Sequence, residues 1–156
     1  MTTQKKAILT LDLGTSTGWS FQDKSGFISS GTMNFKPGRF EGGGMRYVRF
    51  SHWLRDFSIT RTGLDLVYFE EVRRHMSVDA AHAYGGFMAC LTAILDELSI
   101  PYQGIPVGTI KKHATGKGNA GKAEVKAAME SKGHKPRDDN EADALAIMYC
   151  VLDGGF

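Results

Sequence analysis

Short runs of continuous or alternating apolar residues predict strands in the first part of the chain. Residues 6–13 form a continuous apolar run, and residues 17–22 and 27–35 alternate, with turn residues between the three runs. The simplest arrangement of such runs is three consecutive antiparallel strands. Residues 64–72 repeat the first pattern and predict a fourth strand, and residues 101–107 predict a short fifth strand after a long helix.

Apolar residues at helical spacing occupy much of the remaining chain. They predict four helices, at residues 41–57, 77–98, 121–132 and 139–152. Residues 108–119 are consistent with either a loop or a short helix. The pair Gly85-Gly86 interrupts the longest helix and lowers its helix propensity, so we expect close packing there against a strand or another helix.

Length and composition indicate one domain spanning residues 1–156. The chain is 42% apolar and 23% charged, which is typical of a soluble globular protein with its own core. Both cysteines, Cys90 and Cys150, fall in helix-like apolar patterns and are expected to be reduced. Residues 1–6 lack the apolar segment of a signal peptide, and no apolar run approaches the length of a membrane span. We therefore expect a cytoplasmic protein without a membrane partner.

Positive charge is concentrated in one segment. Residues 105–137 hold eight Lys or Arg residues and two acidic residues, a net charge of +6, which leaves −4 for the rest of the chain. A basic segment beside an acidic remainder suits a polyanion partner held next to a metal site. The alternative is a solvated lysine-rich surface, which is the more common role of such a segment.

Three apolar segments each lead to one acidic residue. Asp12 ends the first strand, Glu70 ends the apolar run of the fourth strand, and Asp143 lies inside the last helix. Adjacent strand residues point to opposite faces, so only one of Glu70 and Glu71 can share a site with Asp12. Glu70 is preferred because it ends the apolar run Val67-Tyr68-Phe69. Burying such a carboxylate requires compensation of its charge. The alternatives are a turn-capping role for Asp12 and helix-dipole contacts for the acids that precede Asp143.

Converging carboxylates of this kind favour a hard cation, Mg²⁺ or Mn²⁺. Two such ions about 4 Å apart can activate a water molecule and stabilise the leaving oxygen of a phosphodiester. The negative charge would repel DNA, so lysines as well as metal must offset it. The predicted phosphate contacts are Lys111, Lys112, Lys117 and Lys122.

The chain resembles the RuvC-type Holliday-junction resolvases, which belong to the RNase H-like superfamily. The strand acids lie in Leu11–Trp19 and Tyr68–Val72, and the helix acid lies in Ala142–Ile147. Two further segments, Tyr84–Gly86 and Gly121–Lys126, also look like those of the family. The resemblance covers nearly the whole chain, and the segments occur in the family's order.

This resemblance implies an α/β RNase H-like fold, a five-stranded mixed sheet flanked by helices. It implies a Mg²⁺-dependent endonuclease, in which Mn²⁺ can substitute, that acts as a homodimer. Its substrate would be DNA, namely four-way junctions and other branched forms, cut symmetrically by a two-metal-ion mechanism. The family's roles carry over to Asp12, Glu70 and Asp143 as metal-binding catalytic carboxylates.

The chain departs from the family's pattern at two positions. The family usually has Asp or His three residues before the last acid, Asp143. This chain has Asn140 there, which still offers a carbonyl oxygen. We therefore predict Asn140 as a further catalytic and metal-binding residue, with Asp139 or Glu141 as alternatives. The bacterial enzymes have an aromatic residue three positions after the strand glutamate. This chain has Arg73 at that position, and we predict that Arg73 contacts DNA. The small size and Asn140 would also suit a phage-encoded resolvase.

Three other functions are compatible with parts of this pattern. Asp12–Gly18 also looks like the phosphate-binding hairpin of sugar kinases and actin-like proteins, although those proteins need two such domains to enclose ATP. Asn140 is compatible with a catalytically inactive DNA-binding module on the same fold. A metal site alone is equally compatible with a nuclease acting on flaps, forks or RNA–DNA hybrids, because the surrounding shape selects the substrate.

Overall fold

A five-stranded mixed sheet forms the centre of the computed structural model, which describes residues 3–60 and 63–156. The strands are β1 Ala7–Asp12, β2 Ser16–Gln22, β3 Ile28–Asn34, β4 Leu64–Glu71 and β5 Tyr102–Pro106. Their order across the sheet is β3-β2-β1-β4-β5. β2 pairs antiparallel with both β1 and β3, whereas β4 is parallel to β1 and β5 is parallel to β4. The predicted sheet is therefore confirmed.

Five helices flank the sheet. They are α1 Met45–Thr60, α2 Val78–Glu97, α3 Val107–Thr115, α4 Lys122–Ser131 and α5 Asp139–Leu152. All four predicted helices are confirmed, and the ambiguous segment at residues 108–119 provides most of α3. The first helix begins at Met45 rather than at residue 41, because Gly42-Gly43-Gly44 has low helix propensity and stays outside it.

One face of the sheet packs against α1 and α2. Alternate residues of β1 and β4, such as Leu11 and Val67, join a core that contains many aromatic rings of the two helices. Gly86 of α2 lies so close to the ring of Tyr47 in α1 that any side chain there would overlap it. The close packing predicted for the glycine pair is therefore confirmed at Gly86, whereas Gly85 faces open space.

The other face of the sheet packs against α5, with α3 and α4 beyond it. Eight residues of α5 are buried, which makes it the most deeply buried helix of the described part of the chain. Its Ala144 carbonyl accepts a buried hydrogen bond of 2.8 Å from the hydroxyl of Thr10 in β1. This bond links the middle of α5 to β1 and so helps to fix the position of the helix along the strand.

By length and composition alone, helix α2 could span a membrane. No other helix in the described part of the chain meets this criterion. The expectation that no apolar run approaches that length is therefore too strong. Core helices of soluble proteins share these properties, and Phe87, Leu91, Ile94 and Leu95 of α2 are buried in the core.

The contribution of the Thr10 hydrogen bond to stability can be measured by comparison with Ser20, a neighbouring buried residue whose hydroxyl has no such bond. Thr10 and Ser20 are partners across β1 and β2, both fully buried, but the Ser20 hydroxyl has no hydrogen-bond partner among the described residues. We expect Thr10→Val to lower the free energy of unfolding by about 1–2 kcal/mol, whereas Ser20→Ala leaves it unchanged or raises it. Urea unfolding of the two variants measures this difference. Equal destabilisation would show that the bond to α5 contributes nothing specific.

Candidate active site

Three acidic side chains converge at one edge of the sheet. Strands β1 and β4 are adjacent and parallel, so Asp12 and Glu70, near their carboxyl ends, emerge at the same edge. Asp143 reaches this edge from the first half of α5. One carboxylate oxygen from each residue lies within 4.8 Å of the other two, so the predicted convergence of the three acids is confirmed.

Strand alternation determines which acid of β4 enters the cluster. Tyr68 and Glu70 point toward α5, whereas Phe69 and Glu71 point toward the opposite face. The Glu71 carboxylate lies 3.5 Å from the Arg73 guanidinium instead. The choice of Glu70 over Glu71 is therefore confirmed.

Gly18 allows α5 to approach closely enough for Asp143 to join Asp12. It lies opposite Asp12 in the pairing of β1 with β2. Any side chain at Gly18 would overlap the main-chain carbonyl of Asn140, at the start of α5. The sequence analysis placed Gly18 in the predicted strand at residues 17–22 and gave it no role in helix packing. The available signal was a glycine inside a strand, which often marks a close backbone approach.

Asp138 anchors the start of α5 to the sheet. Its carboxylate accepts hydrogen bonds from the Glu141 amide, at 2.9 Å, and from the Thr32 hydroxyl of β3, at 2.7 Å. Asp138 is therefore the N-cap of α5. Together with Thr10 and Gly18, this cap sets the position of the helix turn that carries Asp143.

The residues predicted as a possible fourth ligand lie in different surroundings. Glu141 is buried and accepts a hydrogen bond from the Arg137 amide at 3.3 Å, outside the three-acid cluster. Asp139 is half-buried, its negative charge contributes to the raised pKa of Asp143, and its carboxylate lies 3.9 Å from the Lys122 ammonium. Asp139 is thus the acid nearer to the cluster, and the ligand role of Asn140 stays a prediction.

Burial raises the pKa of all three carboxylates, and repulsion by neighbouring carboxylates adds to this effect at Asp12 and Asp143. Burial raises the pKa of Asp12 well above its ordinary value, and the charges of Glu70 and Asp143 raise it further. Burial also raises the pKa of Glu70. The pKa of Asp143 rises to about 7, mainly through burial and then through the charges of Glu70 and Asp139. A cluster of buried oxygen donors with this shortage of positive charge fits a divalent cation.

Two lysines supply part of the missing positive charge. The Lys111 ammonium of α3 lowers the pKa of Glu70 and of Asp143, and Lys122 of α4 also lowers that of Asp143. Of the other predicted DNA contacts, Lys112 and Lys117 are exposed in α3 and just after it. The structure thus brings two of the four lysines to the acids and leaves two on the adjoining surface.

Tyr84 fixes the end of β4 beside the cluster. Its hydroxyl donates a 2.8 Å hydrogen bond to the Glu70 carbonyl and accepts one of 3.2 Å from the Val72 amide. The sequence analysis placed Tyr84 in the predicted helix at residues 77–98 and in the segment Tyr84–Gly86, and did not predict this contact, because helical spacing gives no sign of a hydroxyl partner on a distant strand. This contact holds the main chain of Glu70 against α2.

Comparison with solved structures shows which known fold this arrangement belongs to. Thermus thermophilus RuvC in complex with a Holliday junction substrate aligns with a TM-score of 0.74 and 23% identity, covering 92% of this chain and 90% of that chain. Another structure of Thermus thermophilus RuvC aligns with a TM-score of 0.71 and 21% identity, covering 96% and 97% of the two chains.

A more distant solved structure has the same fold. The yeast mitochondrial Holliday junction resolvase aligns with a TM-score of 0.62 and 12% identity, covering 92% of this chain and 76% of that chain. No protein-family model and no curated protein sequence matches the chain. At these levels of identity the likeness is one of fold, and the chain has the fold of the RuvC Holliday-junction resolvases.

The contact between Gly18 and α5 can be tested with a matched glycine. Gly18→Ala forces a side chain into the main chain of Asn140, which no rotamer change can relieve, whereas a side chain at Gly14 makes only ordinary contacts. We expect Gly18→Ala to lower the free energy of unfolding by about 3 kcal/mol or more and Gly14→Ala to change it much less. Urea unfolding measures both. Equal effects would contradict the close approach of α5.

The raised pKa of Asp143 predicts how pH and metal affect stability. Its folded-state pKa of about 7 lies above the ordinary 3.8, so the folded state holds the proton more tightly. The metal-free protein should therefore lose stability as pH rises from about 4 to 7, by at most about 1.4 kcal/mol per pH unit for this group. Thermal unfolding should show a larger Mg²⁺-induced rise in Tm at pH 8 than at pH 5, and Asp143→Asn should remove most of that rise. A rise independent of pH and of Asp143 would place metal binding elsewhere.

Proposed function

We propose that this protein is a crossover junction endodeoxyribonuclease that hydrolyses phosphodiester bonds of Holliday junctions and related branched DNA with divalent metal ions. The observation that carries the proposal is the convergence of Asp12, Glu70 and Asp143 at one edge of a sheet with the fold of the RuvC resolvases. A carboxylate cluster of this kind, beside lysines, suits phosphodiester chemistry.

Asp12, Glu70 and Asp143 would hold the metal, with Mg²⁺ as the physiological ion and Mn²⁺ as a substitute. When bound, divalent ions supply an activated water molecule and stabilise the leaving oxygen. Asn140 would add a neutral oxygen ligand, and Asp139 would add a charged one from the preceding position. The surrounding burial keeps the carboxylates fixed and partly desolvated, which strengthens their interaction with a cation.

Basic side chains on several elements support contact with DNA phosphates. Lys111 and Lys122 lie close enough to the acids to affect their pKa values, and Lys112 and Lys117 extend positive charge along the neighbouring surface. Arg73 is exposed just after β4, near the end of the strand that carries Glu70. One of the solved structures with this fold is RuvC bound to a Holliday junction substrate.

The outer face of α2 supports a homodimer. This helix is largely apolar, yet its exposed or half-exposed positions include Val78, Gly85, Ala89 and Ala93. Small side chains allow two helices to approach closely, and a symmetric contact is the usual way to cover such a face. A second copy would also provide the second active site that paired nicks require.

An inactive DNA-binding module is less well supported than a nuclease. Three buried carboxylates with raised pKa values destabilise the metal-free fold, and a protein that does not use them gains nothing from that cost. A phosphotransferase is also less well supported, because the single domain matches RuvC over 97% of that chain's length.

Substitution of the two adjacent glutamates of β4 tests the proposed activity. Glu70→Gln should reduce cleavage of a labelled four-way junction in Mg²⁺ by at least about a hundredfold, because Glu70 belongs to the acid cluster. Glu71→Gln, on the opposite face, should cut at the rate of the unsubstituted protein. Asp12→Asn should keep junction binding and lose cleavage.

A linear duplex of matched sequence and a reaction with EDTA serve as controls for this experiment. Paired, metal-dependent nicks near the crossover are the expected result. Equal cutting of junction and duplex would leave only a general nuclease, and binding without cuts would identify the inactive module.

The dimer interface on α2 has its own test. Ala89→Arg places a charge in the middle of the exposed face and should convert the dimer into a monomer, as measured by analytical ultracentrifugation. Ala127→Arg, at an exposed position of α4, is the matched control and should leave the mass unchanged. A dimer that survives Ala89→Arg would show that the two copies meet elsewhere.

A further inference from the structure

The segment between β3 and α1, residues 35–44, starts at the same sheet edge as the three acids. β3 ends beside the start of β2, where Asn34 pairs with Ser16. The Phe35 amide donates a 2.7 Å hydrogen bond to the Thr15 carbonyl, and Arg46 at the start of α1 donates one of 3.3 Å to the Thr15 hydroxyl. Thr15 belongs to the turn that follows Asp12, so this 35–44 loop borders the acid cluster.

Ion pairing to α1 gives the 35–44 loop a defined shape. The Arg49 guanidinium donates to both carboxylate oxygens of Glu41, at 2.7 and 2.6 Å, and to the Lys36 carbonyl at 3.3 Å. The same Glu41 carboxylate accepts a hydrogen bond from the Gly38 amide. One guanidinium nitrogen makes both bonds to Glu41, and the pair is partly exposed to solvent. These bonds tie the main chain of the loop to α1 at Lys36 and Gly38.

The loop presents an aromatic ring and positive charge to solvent. Phe40 is 95% exposed, and the Arg39 guanidinium lies 5.4 Å from the centre of its ring. Lys36 and Arg46 add positive charge, while Glu41 is already paired with Arg49. An exposed aromatic ring among cations is the combination used to bind single-stranded nucleic acid, because bases stack on the ring and cations contact the phosphates.

Strand order places this surface on the far side of the acids from the lysines. Along the sheet edge, the 35–44 loop follows β3, the acids emerge from β1 and β4, and the lysine-bearing α3 follows β5. Strand order thus separates the two basic surfaces along the sheet edge, with the ends of β1 and β4 between them. This arrangement suits a branched substrate, in which unpaired bases occur next to duplex arms.

We propose that Phe40 stacks on an unpaired base next to the branch point of the DNA substrate and that Arg39 contacts the adjacent phosphate. This inference rests on the proposed function and adds to it a residue that selects branched over linear DNA. The positive charge around Phe40 favours a polynucleotide over a second protein surface, since a single aromatic residue offers little apolar area for a protein interface.

Phe27 provides a matched control for Phe40. It is also a largely exposed phenylalanine, 68% accessible, but it lies in the turn between β2 and β3 at the opposite edge of the sheet. The substitutions are made in the Asp12→Asn protein so that the DNA stays intact. Fluorescence anisotropy then measures Kd for a labelled four-way junction and for a linear duplex of the same sequence.

We expect Phe40→Ala to weaken junction binding about tenfold, within the range that loss of one stacked base produces, and to leave duplex binding nearly unchanged. Phe27→Ala should change neither Kd, and Phe40→Trp should restore junction binding. Arg39→Ala should lower the slope of log Kd against log salt concentration by about one for the junction.

Several results would overturn the proposal for Phe40. These are a junction Kd that Phe40→Ala leaves unchanged, an equal loss on junction and duplex, or a change of oligomeric state in ultracentrifugation. Failure of the proposed function has a different signature, because the parent protein with Phe40 intact would then bind the junction no more tightly than the duplex. That result would overturn both proposals together.

Discussion

The crowding of three half-buried carboxylates, withdrawn from water and close together, is the constraint on which the rest of this structure depends. Asp12, Glu70 and Asp143 lie within a few ångströms of one another in a setting that raises the pKa of each. Such an arrangement persists only when the surrounding fold holds it in place, as strained functional sites in general require. The parallel pairing of β1 with β4 brings Asp12 and Glu70 together, and the close packing of α5 against Gly18 brings Asp143 to them. Protons, lysines or a bound cation can offset the charge, and only the cation gives the cluster a chemical use.

Positive charge lies both next to this cluster and across the wider surface around it. Lys111 and Lys122 act directly on the ionisation of the acids, whereas the basic segment at residues 105–137 provides a broader field for a polyanion. Both lysines are held by helices whose apolar residues pack with those of α5, so the core on this face also positions the lysines. A change at the start of α5 is therefore expected to affect both the acid cluster and the basic surface beside it.

The sequence was sufficient for features that depend on neighbouring residues and insufficient for those that depend on distant contacts. Strand alternation limited the site to one of Glu70 and Glu71, the end of an apolar run selected Glu70, and such runs located all five strands. The role of Gly18 could not be predicted, because it depends on a helix more than a hundred residues further along the chain. The Thr10 bond to Ala144 and the exposure of Phe40 likewise follow from tertiary packing.

Anomalous diffraction from crystals grown with Mn²⁺ tests the central claim most directly, since it locates the metal without reference to activity. The proposal predicts at least one manganese peak with carboxylate oxygens of Asp12, Glu70 and Asp143 about 2.0–2.2 Å away. A peak that also contacts Asn140 or Asp139 would identify the further ligand. The absence of manganese from these three residues, with manganese bound elsewhere or not at all, would contradict the proposal that this cluster is the catalytic metal site.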